Sequence, residues 1–412
     1  MRTYEKTHPW ITFEVNLEAA STELWMLLGE AQSKCEHLAG VPLRPETASQ
    51  LHRLFLAKGA LATTAIEGNT LSEKQALEYL DGKLELPRSK QYLQQELANV
   101  VEACNAILKN IEAGKPVPLT PERICELNFA VLNKLELKEG EEVVPGRIRQ
   151  HSVGVAHYRG APHEDCAFLL KRLTDWLNGP AFRPKDDRPD RVIVNAVLKA
   201  VLAHLYLAWI HPFGDGNGRT ARLVEFEILV QAGVPSPAAH LLSNFYNETR
   251  SKYYSQLDYA SKSNGNVIPF VTYAVEGFVD GLRGQLGLIR AQQLDVTWRN
   301  YVHELLKDRA TSEAEARQKH LILDLSTRGG VVSRTELKNV STRIARAYAT
   351  KGERTLTRDI NALLRLKLLV RRDGGFLANK DLILAFLPLR HVPEVPLEEF
   401  DEGAIAASIA TS

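Results

Sequence analysis

The chain has 412 residues, 44% hydrophobic and 25% charged, with a formal net charge of +1. That is the balance of an ordinary globular protein, long enough for two or three domains. Its four cysteines, Cys35, Cys104, Cys125 and Cys166, include no Cys-x-x-Cys pair. This excludes a zinc ribbon or a disulfide framework and makes reduced thiols in the cytoplasm the expectation.

The opening residues, MRTYEKTHPW, lack the apolar run of a signal peptide, so none is expected. Apolar periodicity then predicts helices over residues 18–38 and 48–67. The second ends at Glu67-Gly68-Asn69, a stop signal with glycine at the left-handed position. Thr70-Leu71-Ser72-Glu73 reads as a capping box opening another helix. Thr120-Pro121-Glu122 opens a further one, with proline in the first turn. Residues 143–162 break the pattern: Pro145-Gly146 marks a turn, Arg149 to Val155 an extended segment, and Gly160-Ala161-Pro162 its close. Helices resume from about Asp165 to Leu288.

Residues 192–210, VIVNAVLKAVLAHLYLAWI, are long enough to cross a bilayer. Asn195, Lys199 and His204 interrupt them, and polar groups are costly at that depth. A buried core helix with no membrane contact is the expectation. Further on, residues 317–372 hold fourteen Lys and Arg against four Asp and Glu. Residues 354–376 read as a helix, a strand and an Asp373-Gly374-Gly375 turn, an order that suggests a winged helix. Such a unit would bind DNA through phosphates, with Arg354, Arg358 and Arg365 on or near the recognition helix, or serve docking or dimerisation. After Arg390 the tail has five acids and no base, and is expected to be flexible.

The densest chemistry is HPFGDGNGRTAR, residues 211–222. Pro212 stops the apolar helix, and an amphipathic helix is expected from near Gly218 to Gln231. Glycines at a helix N-terminus present N–H groups and the positive dipole end to an anion. Arg219 and Arg222, three apart, share a face of that helix. Asp215 is placed to hold magnesium bridging phosphate oxygens. His211 suits a proton acceptor near neutral pH. These residue types together point to a nucleotide-dependent transfer. The three histidines His151, His157 and His163 fit no usual zinc spacing.

His211-x-Phe213-x-Asp215-Gly216-Asn217-Gly218-Arg219-x-x-Arg222 resembles the signature of Fic-domain proteins at every fixed position. The resemblance implies a mainly α protein: a helical Fic core with a short β-hairpin flap, followed by a winged-helix domain. It implies transfer of AMP from ATP, with Mg2+, to a Ser, Thr or Tyr hydroxyl of a target protein, the chain itself being one target. His211 would be the catalytic base and Asp215 the metal ligand. Nucleotide contacts are expected from Gly216, Asn217, Gly218, Arg219, Thr220, Ala221, Arg222, Glu67 and Tyr254. Arg149, His151, Ser152, Val153, Gly154 and Val155 would form the flap, with Gly146 and Arg149 matching its G-x-x-R. TTAIEGN, residues 63–69, resembles the family's inhibitory motif through Thr63, Glu67 and Gly68, the class II arrangement. There the Thr63 hydroxyl would steady the Glu67 carboxylate, and Glu67 would hold Arg222 away from the γ-phosphate. The implied organisation is an N-terminal helical segment (1–110), a Fic core (111–290), a linker helix (291–316), a winged helix (317–392) and an acidic tail (393–412), with a homodimer and DNA as possible assemblies. Two alternatives stand beside this one: a DNA-binding regulator whose Fic core senses nucleotide, and a de-AMPylating enzyme in which Glu67 positions a water.

Overall fold

The structure is a computed structural model describing residues 2–136, 143–155, 158–182, 192–307 and 312–384. The acidic tail, His157 and the end of the expected 317–392 segment lie outside the described residues. The chain divides into two compact units, Met1–Gln285 and Leu286–Ser412.

The first unit runs through α1 (Thr3–Thr7), α2 (Thr22–Gly40), α3 (Pro45–Ala65), α4 (Glu73–Leu80), α5 (Gln91–Glu112) and α6 (Pro121–Leu132). A hairpin of β1 (Gly154–Val155) and β2 (Tyr158–Arg159) follows, then α7 (His163–Leu177), α8 (Val192–Ile210) and α9 (Asn217–Gln231). The short α10 (Ser236–Ala239) and α11 (Leu241–Glu248), then α12 (Arg250–Lys262), lead into α13 (Ile268–Leu305). The helical segment expected at 1–110 packs in the same unit as residues 111–285.

α8 sits at the centre because its sequence leaves no polar face. Its most apolar 18-residue stretch has a mean hydropathy of 1.7 and is 78% buried. It packs most extensively on α9 and also on α2, α7 and α12. Truncating one of its fully buried leucines to alanine costs about 2–5 kcal/mol. α9 departs from the expected amphipathic pattern. It starts at Asn217 and is buried on nearly every side, because α3, α5, α6 and α8 surround it. Its polar residues therefore need internal partners. Glu227 takes a fork from Arg123 of α6, at 3.1 Å from Nε and 2.9 Å from Nη2.

Helix ends follow local chemistry. The Ser21 hydroxyl accepts from Leu24 N, so α2 begins at Thr22 rather than at residue 18. Thr120 caps α6 as read. The capping box before α4 is Ser72 with Gln75 rather than Thr70 with Glu73. Asn69 accepts the Leu71 N–H at 3.0 Å and holds the chain extended past Thr70. α3 ends at Ala65, two residues short of the reading. Gly68 N bonds Ala65 O and Asn69 N bonds Thr64 O, at 2.9 and 3.2 Å. This is a Schellman end, and it needs Gly68 at φ +106°.

In the second unit, the C-terminal part of α13 and the turn after it supply Trp298, Val302 and Leu306 to a separate core, so the expected 291–316 linker carries core side chains. α14 (Glu313–Arg328), α15 (Thr342–Tyr348) and α16 (Glu353–Arg365) complete it with an antiparallel hairpin. That hairpin pairs β3 (Leu369–Arg372) with β4 (Gly375–Ala378), Arg371 opposite Phe376, and Val332 bridges to Phe376. Buried Asp359 accepts from Arg317 Nε at 2.7 Å, Tyr348 Oη at 2.8 Å and Gln318 Nε2 at 2.8 Å, tying α14, α15 and α16 together.

Candidate active site

The site is built where α8 stops. His211 N–H still donates to Leu207 O at 2.9 Å, closing the last turn. His211 itself takes φ +49°, a region a side chain rarely adopts. Arg149 holds it there. Its Nε donates to His211 O at 2.7 Å and its Nη1 to His151 O at 2.6 Å, while Nη2 reaches the carbonyls of Ala161 and Ile210. Arg149, expected in the flap, is thus a buried pillar at the root of the hairpin. The pleated part of the flap is shorter than read. Among the described residues Gly154–Val155 alone pairs with Tyr158–Arg159, His151 is half-buried and Ser152 is exposed. Val153 anchors the hairpin by accepting Gly160 N–H at 3.1 Å.

The loop after His211 is internally cross-braced. The Asn217 side chain bonds both main-chain groups of Phe213, at 2.9 and 2.8 Å. Phe213 is buried beneath the loop. Gly216 adopts φ +74° as the N-cap of α9. Asn217 therefore offers the α9 N-terminus only its main chain. The Thr220 hydroxyl donates back to Gly216 O at 2.8 Å, and Ala221 is buried, so both face packing.

Charges converge on this helix start. Asp215 is exposed, accepts the Gly216 N–H at 2.5 Å, and lies 3.3 Å from Arg219 Nη2. Arg219 also contacts Glu96 of α5 at 3.3 Å. Arg222 is 1% exposed, and its Nη2 donates to Glu67 Oε1 at 2.5 Å and to Thr63 O at 2.9 Å. Thr63 thus enters through its carbonyl. No hydrogen bond joins its hydroxyl to the Glu67 carboxylate among the described residues. The cause is the early end of α3, which turns Glu67 off the Thr63 face. A Cβ on Gly218 would fall on Glu67 Oε1 and come within 3.1 Å of Arg222 Nη1. Only glycine lets the carboxylate approach the α9 N-terminus so closely.

These surroundings set the protonation states. Burial weakens the Glu67 carboxylate, but the Arg222 charge and hydrogen bond outweigh it and hold Glu67 below the usual carboxylate range. Packing pushes His211 down to about 4, with Arg149 adding to it against the Ala208 carbonyl contact and the two carboxylates. The imidazole is therefore neutral at pH 7, with a lone pair free to accept a proton.

The Fic/DOC family pattern matches residues 118–229, which span α6 through α9 and contain the whole motif loop. The chain carries a Fic domain. It is 28% identical over 228 residues to Protein adenylyltransferase fic-1 of Caenorhabditis elegans, covering 55% of this chain and 41% of that protein. It is 30% identical over 214 residues to Protein adenylyltransferase Fic of Drosophila willistoni, covering 52% and 38%. The matched stretch is thus about two fifths of the length of these curated relatives. Among solved structures, residues 134–508 of Fic-1 from C. elegans align with TM-score 0.54 at 24% identity, over 65% of this chain and 73% of that one. A Fic family protein from Desulfovibrio desulfuricans G20 aligns with TM-score 0.52 at 20% identity, over 86% and 92%. Both likenesses are of fold.

Three residues around the Fic motif escaped the sequence reading. Asn128 of α6 is fully buried and donates to Asp215 O at 3.0 Å and Thr220 Oγ1 at 3.2 Å, while accepting Gly146 N–H at 2.9 Å. It pins the motif loop to the G-x-x-R turn. Glu96 partners Arg219 and accepts from Asn69 at 2.9 Å. Arg250 of α12 donates to Ile66 O at 2.5 Å and Ala65 O at 3.4 Å, and Tyr254 Oη reaches Ile66 O at 3.5 Å. Together with Arg222 on Thr63 O, these side chains bond carbonyls at the end of α3, sharing that of Ala65 with the Gly68 N–H. A lone Asn within a helix, or an Arg after Glu-Thr, carries no local signal of such a role.

Proposed function

We propose that this protein transfers AMP from Mg-ATP to a hydroxyl of a target protein and holds itself inactive through Glu67. One observation carries the reading: a carboxylate, Glu67, already lies against Gly218 at the N-terminus of α9 on Arg222, where an anionic ligand would bind. The names of the curated relatives, adenylyltransferases that share the Fic domain, support AMP as the transferred group.

In this reading the main-chain N–H groups of Asn217 and Gly218, and that of Gly216 once Asp215 releases it, receive the phosphates, and Arg219 and Arg222 neutralise their charge. Asp215 fits a magnesium ion in character: one exposed carboxylate beside a phosphate seat, with remaining positions left to phosphate oxygens and water. Bound there, the ion would neutralise phosphate charge as pyrophosphate departs. His211 takes the proton of the incoming Ser, Thr or Tyr hydroxyl. That oxygen forms a bond to the α-phosphorus, and the bond from the α-phosphorus to the bridging oxygen of pyrophosphate breaks. Catalysis rests on positioning, which explains why Arg149 and Asn128 brace the loop from behind. The hairpin edge offers the target main-chain pairing.

While Glu67 holds Arg222, that arginine is withheld from the γ-phosphate and the nucleotide sits unproductively. An inhibitory segment preceding the core is the class II arrangement. The test is incubation of the wild type and Glu67→Gly with α-labelled ATP, CTP, GTP and UTP and a cell lysate. Label from ATP on protein, stronger with Glu67→Gly, is expected. Equal labelling from all four nucleotides, or none from any, overturns the proposal.

A further inference from the structure

α15 and α16 are joined by four residues, Ala349 to Gly352, the length and composition of a helix-turn-helix connection. α16 buries Leu356, Asp359, Ile360 and Leu363 and turns Arg354, Arg358, Asn361 and Arg365 outward, all exposed. At 3.6 residues per turn these four positions fall within an arc of about 60° and a length of about 16 Å. They form one straight stripe.

The stripe is uncompensated. Both carboxylates of α16, and Asp324 on α14, are already engaged: Glu353 by Lys338, Asp359 by Arg317, Asp324 by Arg343. Among the described residues, none forms an ion pair with Arg354, Arg358 or Arg365. Three exposed guanidinium groups left free on one helix face repel each other, a cost that a phosphate-bearing partner offsets. Arg371, exposed beside the Asp373-Gly374 turn, adds a cation on the hairpin that follows α16, while its neighbour Arg372 lies 3.9 Å from Asp381.

We infer that the second unit binds duplex DNA, with α16 entering the major groove. The groove is about 12 Å wide and admits one helix. Arginine forks match phosphate and guanine edges, and a carboxamide such as Asn361 both donates and accepts, as an adenine edge requires. The amide in the middle of the arginine stripe favours nucleic acid over an acidic protein surface, which needs only cations. A helix reading a groove also favours DNA over duplex RNA, whose major groove is too narrow.

The test uses the full chain and a fluorescent duplex of about 20 base pairs, with binding followed by anisotropy between about 50 and about 200 mM salt. Wild type should bind at low salt and weaken steeply as salt rises. The triple variant Arg354→Ala, Arg358→Ala, Arg365→Ala should bind at least about tenfold more weakly. Its slope of log affinity against log salt should be shallower by about 2–3, at about 0.9 per phosphate contact. Arg343→Ala, which removes an arginine already paired with Asp324, should bind much as wild type does. Circular dichroism melts establish that each variant is folded. Should the triple variant fail to fold, Arg358→Gln alone decides, with a slope shallower by about 1. No binding to DNA at low salt overturns the inference. So does an unchanged slope in the variants, or equal affinity for the RNA duplex of the same sequence, for polyglutamate or for anionic vesicles.

Discussion

Replacing Glu67 with glycine should make the protein less stable without ligand and more responsive to ATP. Arg222 is 1% exposed, and without Glu67 the Thr63 carbonyl is its remaining side-chain hydrogen-bond partner among the described residues. Two unit charges about 4 Å apart attract by about 4 kcal/mol at an effective dielectric of about 20. The Glu67 side chain is 36% exposed, so water screens part of that attraction, and desolvation offsets more. A net loss of about 1–3 kcal/mol remains, the usual size of a coupling between two sites. Each kcal/mol lowers the melting temperature of a domain of this size by about 2–4 °C. The freed guanidinium then accepts the γ-phosphate, so Mg-ATP should restore the lost stability. A ligand at about 100 times its Kd contributes about 2.7 kcal/mol. The assay is a thermal melt of wild type and Glu67→Gly, each with and without Mg-ATP, alongside a direct ATP titration. A larger ATP-induced shift in the variant is the expected result. Identical melts and identical ATP affinity in both proteins would refute the pairing as the source of inhibition.

Other outcomes follow from the same geometry. His211, held near 4, is protonated only in acid; a base must be neutral, so kcat/KM of Glu67→Gly, which lacks one carboxylate that raises it, should stay flat from neutral pH down to about 5 and fall with a midpoint no higher than about 4, whereas a midpoint near 6.5 would contradict the packing argument. Asp215→Ala should sharply lower turnover and EDTA should do the same to the parent enzyme, full activity in EDTA being the contrary result. Arg250→Ala removes two hydrogen bonds from the end of α3 and should raise basal transfer, though less than Glu67→Gly; a rate no higher than wild type would show that Arg250 does not hold the inhibitory segment.

Much of the site was legible because its chemistry is contiguous. His211, Asp215, Gly216 and Arg222 sit within twelve residues, and a loop between two helices brings them together without long-range information. The Gly68 stop was equally local, since its positive φ depends on the absence of a Cβ. The burial of α9 was not legible: its charged residues suggest a wet face, and their partners, Arg123 on α6 and Glu67 in the turn after α3, come from distant parts of the chain. The burial of Arg149 was not legible either, because a buried arginine satisfied mainly by carbonyls carries no charge pattern in the sequence. Asn128, Glu96 and Arg250 act across separations of 87, 123 and 184 residues, where local periodicity is silent. The expected contact of the Thr63 hydroxyl with the Glu67 carboxylate is absent among the described residues because a Schellman end turns Glu67 off the helix, and Thr63 meets Arg222 through its carbonyl instead.

The central claim is that a proton acceptor at His211 and a phosphate seat at the α9 N-terminus move an AMP group. It is met most directly by incubating Glu67→Gly with ATP labelled at either the α- or the γ-phosphate and resolving the denatured protein. The α-label should remain on protein and the γ-label should leave as pyrophosphate, with both signals absent from Glu67→Gly, His211→Ala. Retention of the γ-label on protein, or undiminished α-labelling in the folded double variant, would contradict the account.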